Sequence, residues 1–289
     1  MKKILITGCS TGFGYNSARY LAEKGQHVYA TMRNINGKNA KAASELKAFA
    51  GSNDYKLEVL EMDVTSDDSV RKAVSQMPAV DVLINNAGVG YGGPLEAFTS
   101  HAVLAQLDLN IVGTLRVARA VLPGMRAQKS GLIIQVSSTA GRAAFPGFGV
   151  YHASKWGLEG MSEAMRYELA PLGIDVVIVE PGPFSTNFFG NIVNPENEQT
   201  AVAYQHVGEF LDGFGKKVVS MFEDENAPTD PMIVVKTFED LINTPDGSRP
   251  LRTIAGLDFG FQALNDATEP IRKANLETMG FAGWDGPQE

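Results

Sequence analysis

The chain has 289 residues, 44% of them hydrophobic and 20% charged, with a net charge of −8. This composition suits a globular protein that buries its own core, and the acidic balance gives no electrostatic footprint for nucleic acid or an anionic membrane. The single cysteine, Cys9, excludes an internal disulfide, and the four histidines have no metal-ligand spacing. The apolar run at the amino terminus, Ile4 to Ile6, is too short for a secretory leader, and no stretch approaches the roughly 18 apolar residues of a membrane span. A reducing cytoplasm is the expected compartment.

In chain order, short runs rich in Val and Ile predict strands at 3–7, 26–31, 56–62, 80–84, 131–136, 175–179 and 251–254. Between them, apolar residues at three- and four-residue spacing predict helices over 14–24, 39–50, 66–77, 99–128 and 150–172. Alternating β and α over the first 180 residues predicts right-handed crossovers and an α/β fold, a Rossmann-type doubly wound parallel sheet with helices on both faces. After Pro181 the rhythm breaks, with further helices predicted at 231–243 and 266–279. No repeat or linker divides two cores. The expectation is one domain over 1–289, with a cofactor-binding and catalytic core to about residue 186 and a substrate-loop and C-terminal elaboration over 187–289.

Directly after the first strand stand Gly8, Ser10, Thr11, Gly12, Phe13 and Gly14, and a helix follows at once. Glycines so placed allow a tight turn and close backbone approach to a pyrophosphate, while the helix N-terminus presents free N–H groups. Cys9 within the turn reads as a small buried filler. An NAD site wants an acid about 20 residues on, for the ribose hydroxyls. Here that position holds Met32 followed by Arg33, and no acid occurs between Ala30 and Asn36. NADP(H) is therefore expected over NAD(H), with Arg33 on the 2′-phosphate and Ser10 and Thr11 as further phosphate donors.

Together with Asn85-Asn86-Ala87-Gly88 after the fourth strand, Asn110 in the long helix, Ser138 after the fifth strand, Tyr151-x-x-x-Lys155, and Pro181-Gly182 with Thr186 after the sixth, this turn resembles the short-chain dehydrogenase/reductase family over residues 3–186. The glycine turn and the segment from Tyr29 to Asn34 are similar to the branch that includes retinol and 17β-hydroxysteroid dehydrogenases. The resemblance implies an oxidoreductase acting on CH–OH groups with Asn110, Ser138, Tyr151 and Lys155 as catalytic residues. It also implies that Lys155 binds the nicotinamide ribose, that Asp63 and Val64 contact adenine, and that Thr186 and the backbone near Pro181 hold the carboxamide. Asn86, Ala87 and Gly88 let the cofactor approach the sheet. Asp63 serves equally well, on its own residues, as a cap for the helix from Ser66.

The chemistry is consistent with physics that does not depend on the family. Tyr151 and Lys155 stand four apart on one helix face, and an ammonium stabilises phenolate, so Tyr151 is expected to act as acid or base. His152 points about 100° away and is expected to be structural or at a subunit interface. Ala144, Phe145 and Phe148 after Ser138, and Phe184 and Phe188 after Pro181, are candidate substrate contacts for a bulky hydrophobic ketone or alcohol; Phe189, Phe210, Phe214, Met221 and Phe222 extend the set. These rings serve core packing equally well. A non-catalytic NADPH-binding sensor or scaffold is the alternative, although it would have no need of the Tyr and Lys. By family analogy a homodimer or homotetramer forms through the helices 99–128 and 150–172.

Overall fold

In the computed structural model, which describes residues 1–288, seven parallel strands form one sheet. They are β1 (Lys3–Ile6), β2 (His27–Met32), β3 (Leu57–Glu61), β4 (Val82–Asn85), β5 (Gly131–Val136), β6 (Ile174–Pro181) and β7 (Arg252–Ala255), in the order β3-β2-β1-β4-β5-β6-β7. The helices are α1 (Gly12–Glu23), α2 (Ala40–Asn53), α3 (Asp67–Val74), α4 (Ser100–Leu107), α5 (Gly113–Gln128), α6 (Gly149–Leu169), α7 (Glu198–Val202), α8 (Gln205–Glu223), α9 (Met232–Asn243) and α10 (Phe261–Met279).

Every residue of β4, β5 and β6 is buried, because helices cover both faces of the sheet. Side chains alternate between the two cores. Ile4 and Ile6 pack with α1, α2 and α9, whereas Leu5 packs with α3, α5 and α6. The sheet order reverses between β1 and β4, which leaves a crevice at the carboxyl ends of the strands. Four bonds stitch that point. The Thr7 hydroxyl accepts from the backbone N–H groups of Asn86 and Ala87, both at 3.0 Å, and the Asn86 amide donates to the carbonyls of Thr7 (2.9 Å) and Gly8 (3.2 Å).

Two predicted helices differ from the observed ones. The segment 99–128 is not one regular helix: Asp108–Val112 forms a π-turn between α4 and α5. Helix α10 begins at Phe261, ahead of the predicted start at residue 266, and carries Pro270 at its tenth position, in the helix interior. A proline there removes the hydrogen bond to the Asp266 carbonyl one turn back, a cost that the rest of this 19-residue helix carries. The cap of α3 is Ser66, whose hydroxyl accepts from the Ser69 N–H at 3.3 Å. Asp63 instead accepts from the hydroxyl and N–H of Thr65, at 2.7 and 3.0 Å, and so does not cap that helix.

Candidate active site

The glycine turn is shaped by backbone sterics. Gly8 and Gly12 adopt positive φ, +75° and +58°, where a side chain is strained. Gly14 lies so close to the β1 end that a Cβ there would sit 2.5 Å from the Gly8 carbonyl oxygen and from the Asn86 amide. Helix α1 starts on this turn with no side-chain cap and no acid in its first turn, leaving its N–H groups and positive dipole end for an anion. Arg33 is exposed on the rim beyond β2, and Lys38 and Lys41 join it on the same cavity wall. Donors at the helix end and cations beyond it fit a phosphorylated dinucleotide.

At the other end, α6 carries Tyr151 and Lys155. The Lys155 ammonium donates to the Val136 carbonyl at 2.8 Å and stands 5.8 Å from the centre of the Tyr151 ring. Burial pushes the Tyr151 phenol up to about 12, with a hydrogen bond to Ser138 pulling the other way, and burial pushes Lys155 down to about 8, against the Glu159 carboxylate one turn on. The ammonium therefore does not dominate the phenol, contrary to the expectation from their spacing. Desolvation does. The Ser138 hydroxyl accepts from the Ala140 N–H at 3.1 Å and donates to the Pro181 carbonyl at 3.4 Å, which ties the ends of β5 and β6 together.

Asn110 lies in the π-turn and is buried. Its amide donates to the Val89 carbonyl (3.0 Å) and the Ser154 hydroxyl (2.9 Å), and its oxygen accepts from the Val89 N–H (3.1 Å). Gly88 adjoins both groups: a Cβ there would lie 3.4 Å from the Asn110 oxygen and 3.8 Å from the Lys155 ammonium. His152 is structural within the chain, with Nδ1 against the Ala140 carbonyl and Nε2 accepting from the Phe145 N–H, both at 2.9 Å.

A single cavity of about 1550 Å³ joins these parts. It is lined by Gly8, Ser10, Thr11, Gly12, Phe13, Arg33, Asp63, Val64, Asn86, Ala87, Gly88, Ser138, Tyr151, Lys155, Pro181, Gly182 and Thr186. Gly14 and Asn110 stand behind its wall. Of the candidate substrate contacts, Phe145, Phe148 and Phe188 line the cavity, and Phe188 lies 5.4 Å from the Tyr151 ring. Phe184 also borders it but is buried in the core against Phe13 (5.3 Å), and Ala144 is exposed and away from the lining. Gly90 makes room for Phe188, since a Cβ there would sit 2.7 Å from its ring.

Several features escaped the sequence reading. Asn187, Asn191, Val193 and Lys217 also line the cavity, as do Phe259 and Phe261 beyond β7. Their only sequence signal is position after Pro181, because loops and helices far apart in the chain bring them together. A buried charge cluster also underlies the Ser138 loop. Glu180, immediately before Pro181, accepts from Asn265 at 2.5 Å, with Arg142 and Arg252 each at 3.7 Å, and Arg252 pairs with Glu159 at 2.8 Å. Burial and the Glu159 carboxylate push Glu180 up from the usual carboxylate range.

Fold and cavity together define a Rossmann-type α/β protein with a deep cleft at the carboxyl ends of its strands. The sequence profile of the short chain dehydrogenase family matches residues 2–197, and the chain belongs to that family. It is 42% identical over 192 residues to a 3-ketodihydrosphingosine reductase of Bacteroides thetaiotaomicron, covering 65% of this chain and 66% of the relative. It is 39% identical over 202 residues to human 17-beta-hydroxysteroid dehydrogenase type 1, covering 68% of this chain and 60% of the relative. The chain thus matches about two thirds or less of the length of these curated relatives. Among solved structures, a short-chain dehydrogenase from Streptomyces avermitilis matches with a TM-score of 0.75 at 29% identity, over 96% of this chain and 97% of that one. A serine dehydrogenase complexed with NADP+ matches with a TM-score of 0.72 at 25% identity, over 88% of this chain and 94% of that one. Among the described residues, no helix is long and apolar enough to cross a membrane.

Proposed function

We propose that the protein is an NADP(H)-dependent oxidoreductase interconverting a bulky apolar ketone or aldehyde and its alcohol, with Tyr151 as general acid in reduction and general base in oxidation. The observation that carries this reading is the meeting of Tyr151, Ser138 and Lys155 on the wall of the cavity that opens onto the glycine turn. The chain is read as one domain, with residues 1–186 holding cofactor and reacting groups and 187–289 walling the substrate. The glycine turn would hold the pyrophosphate of a reduced dinucleotide, which would supply the hydride from its nicotinamide. Ser138 holds the reacting oxygen by hydrogen bond, and Tyr151, kept neutral by burial, donates the proton that oxygen takes up. Lys155 orients the cofactor ribose, and Asn110 orders the proton path behind Gly88. The rings of Phe145, Phe148 and Phe188 support an apolar substrate, as do relatives named for ketodihydrosphingosine and hydroxysteroid chemistry. A homodimer or homotetramer through the segments 99–128 and 150–172 belongs to the same reading, supported by exposed Leu104 and Val112 on the first and Trp156 on the second.

The test is NADPH consumption with a panel of hydrophobic ketones, followed by NADP+ reduction with the product alcohols. Reduction uses the protonated phenol, whose raised pKa keeps it protonated, so its rate is expected to stay flat through neutrality; oxidation uses the phenolate and is expected to climb with rising pH. A reduction rate that falls through neutrality would show that burial does not keep the Tyr151 phenol protonated in the loaded protein. For the cofactor, supported by Arg33, Lys38 and Lys41 on one wall and by the absence of an acid after β2, Arg33→Ala is expected to weaken NADPH binding about tenfold or more. NADH binding, measured by fluorescence titration, is expected to change little. Equal effects on both cofactors would show that Arg33 holds no phosphate.

A further inference from the structure

The substrate half of the cavity is lined by aromatic and aliphatic side chains, Phe145, Phe148, Phe188, Phe189, Phe214 and Met221 among them. One charged side chain interrupts this wall beyond Lys155. Lys217 lies on α8, on the face where Val207, Phe210, Phe214, Val218 and Met221 recur at three- and four-residue spacing. Its stem lies along the apolar wall while its charged end stays in water, which sets one cation at the edge of an otherwise apolar lining. No carboxylate stands one turn away on the helix, where the residues are Gly213, Phe214, Ser220 and Met221. The two acids on the cavity wall are engaged elsewhere: Asp63 accepts from Thr65, and Glu45 pairs with Lys41 at 3.9 Å, both at the β2–β3 end. The other cations of the wall, Arg33, Lys38 and Lys41, also stand at that end.

Lys217 belongs to the opposite end. A chain of ring contacts leads to it from the reacting group: Tyr151 to Phe188 (5.4 Å), Phe188 to Phe189 (5.6 Å) and Phe189 to Phe214 (6.5 Å), with Lys217 on the next turn of α8. A ligand whose carbonyl meets Tyr151 therefore passes along two or three ring widths of apolar wall before it reaches a positive charge at the mouth, where Lys217 is solvent-exposed. An exposed ammonium keeps its hydration until a ligand arrives, so it can hold an anion without a large desolvation cost.

We propose that Lys217 is a specificity-determining residue, and that the preferred substrate is an elongated apolar ketone or alcohol bearing an anionic group, such as a carboxylate, at the end remote from the reacting carbon. This inference rests on the oxidoreductase reading and narrows its substrate class. It disfavours a cationic amphiphile, which Lys217 repels.

The experiment compares an aryl alkyl ketone carrying a terminal carboxylate with its methyl ester and with an amine-terminated analogue. Binding to NADPH-loaded protein is read by calorimetry, and turnover by absorbance. The wild-type protein is expected to prefer the acid over the ester about five- to tenfold in Kd and kcat/KM, the order of a charge-assisted contact at a partly wet site. Lys217→Met brings the acid-to-ester ratio toward one, and Lys217→Glu inverts the preference toward the amine. Acid and ester binding alike to the wild-type protein, or a loss in Lys217→Met that falls on NADPH affinity instead, overturns the assignment. Preferential acid binding without turnover leaves Lys217 as an anion site and overturns the oxidoreductase reading; turnover without acid preference does the reverse.

Discussion

Tyr151→Phe is expected to lower kcat by about a thousandfold or more while NADPH binding stays within about twofold of wild type, because general-acid catalysis supplies roughly 10²–10⁴ in rate and no neighbouring group replaces it. The ring keeps its place beside Phe188 in the variant, so folding is spared. Ser138 loses its bond to the phenol but keeps those to the Ala140 N–H and the Pro181 carbonyl, which hold its hydroxyl in place. Lys155 is directed to the Val136 carbonyl and does not reach into the position of the missing hydroxyl. Stopped-flow measurement of hydride transfer, together with a fluorescence titration of NADPH, separates the two effects. Turnover equal to wild type would reject Tyr151 as the proton donor.

Asp175→Asn is expected to destabilise the protein by about 3–5 kcal/mol, the usual cost of removing one partner from a buried ion pair. Asp175 is fully buried and serves two arginines at once. Arg166 from α6 reaches it at 2.7 Å, and Arg249, just before β7, reaches it at 3.2 Å. Both guanidiniums are themselves buried, so neither can turn to solvent when the carboxylate is lost. Arg166 retains Asp285 at 3.0 Å and Arg249 retains Asp246 at 2.7 Å, which limits the damage. A melting temperature lowered by about 10 °C is the expected reading. An unshifted midpoint would mean that those remaining acids neutralise both arginines alone. The network joins the far end of the helix bearing Tyr151 and Lys155 to the edge of the sheet, so its loss is also expected to loosen that helix.

Much of this was legible in the sequence wherever the signal is local. Each of the seven strands lies within about two residues of its predicted place, since buried parallel strands are short Val- and Ile-rich runs. The glycine turn and the Tyr151–Lys155 pair were legible because a φ requirement and a one-turn spacing leave their mark over a few residues. What stayed hidden depends on distant partners. Lys217 looks like any surface lysine until α8 is folded over the cavity, and Asp175 looks like a strand-end acid until Arg166 and Arg249 converge on it. The effect of burial on the Tyr151 phenol is hidden for the same reason. Spacing reveals the nearby lysine, whereas the burial that outweighs it comes from elements throughout the fold.

The π-turn at Asp108–Val112 fixes a rotational phase. Because each helical residue advances about 100°, the extra residue held in that turn rotates everything beyond it relative to α4. Gln106 and Asn110 face the loop after β4, where both bond to Val89, and Val117, Val121 and Met125 face the sheet. The wider turn sets Asn110 between two neighbours at once, the loop at Val89 and the α6 residue Ser154, before the hydrophobic seam of α5 begins. The irregular turn thus pins the start of α5 to both the β4 loop and the helix that carries Tyr151.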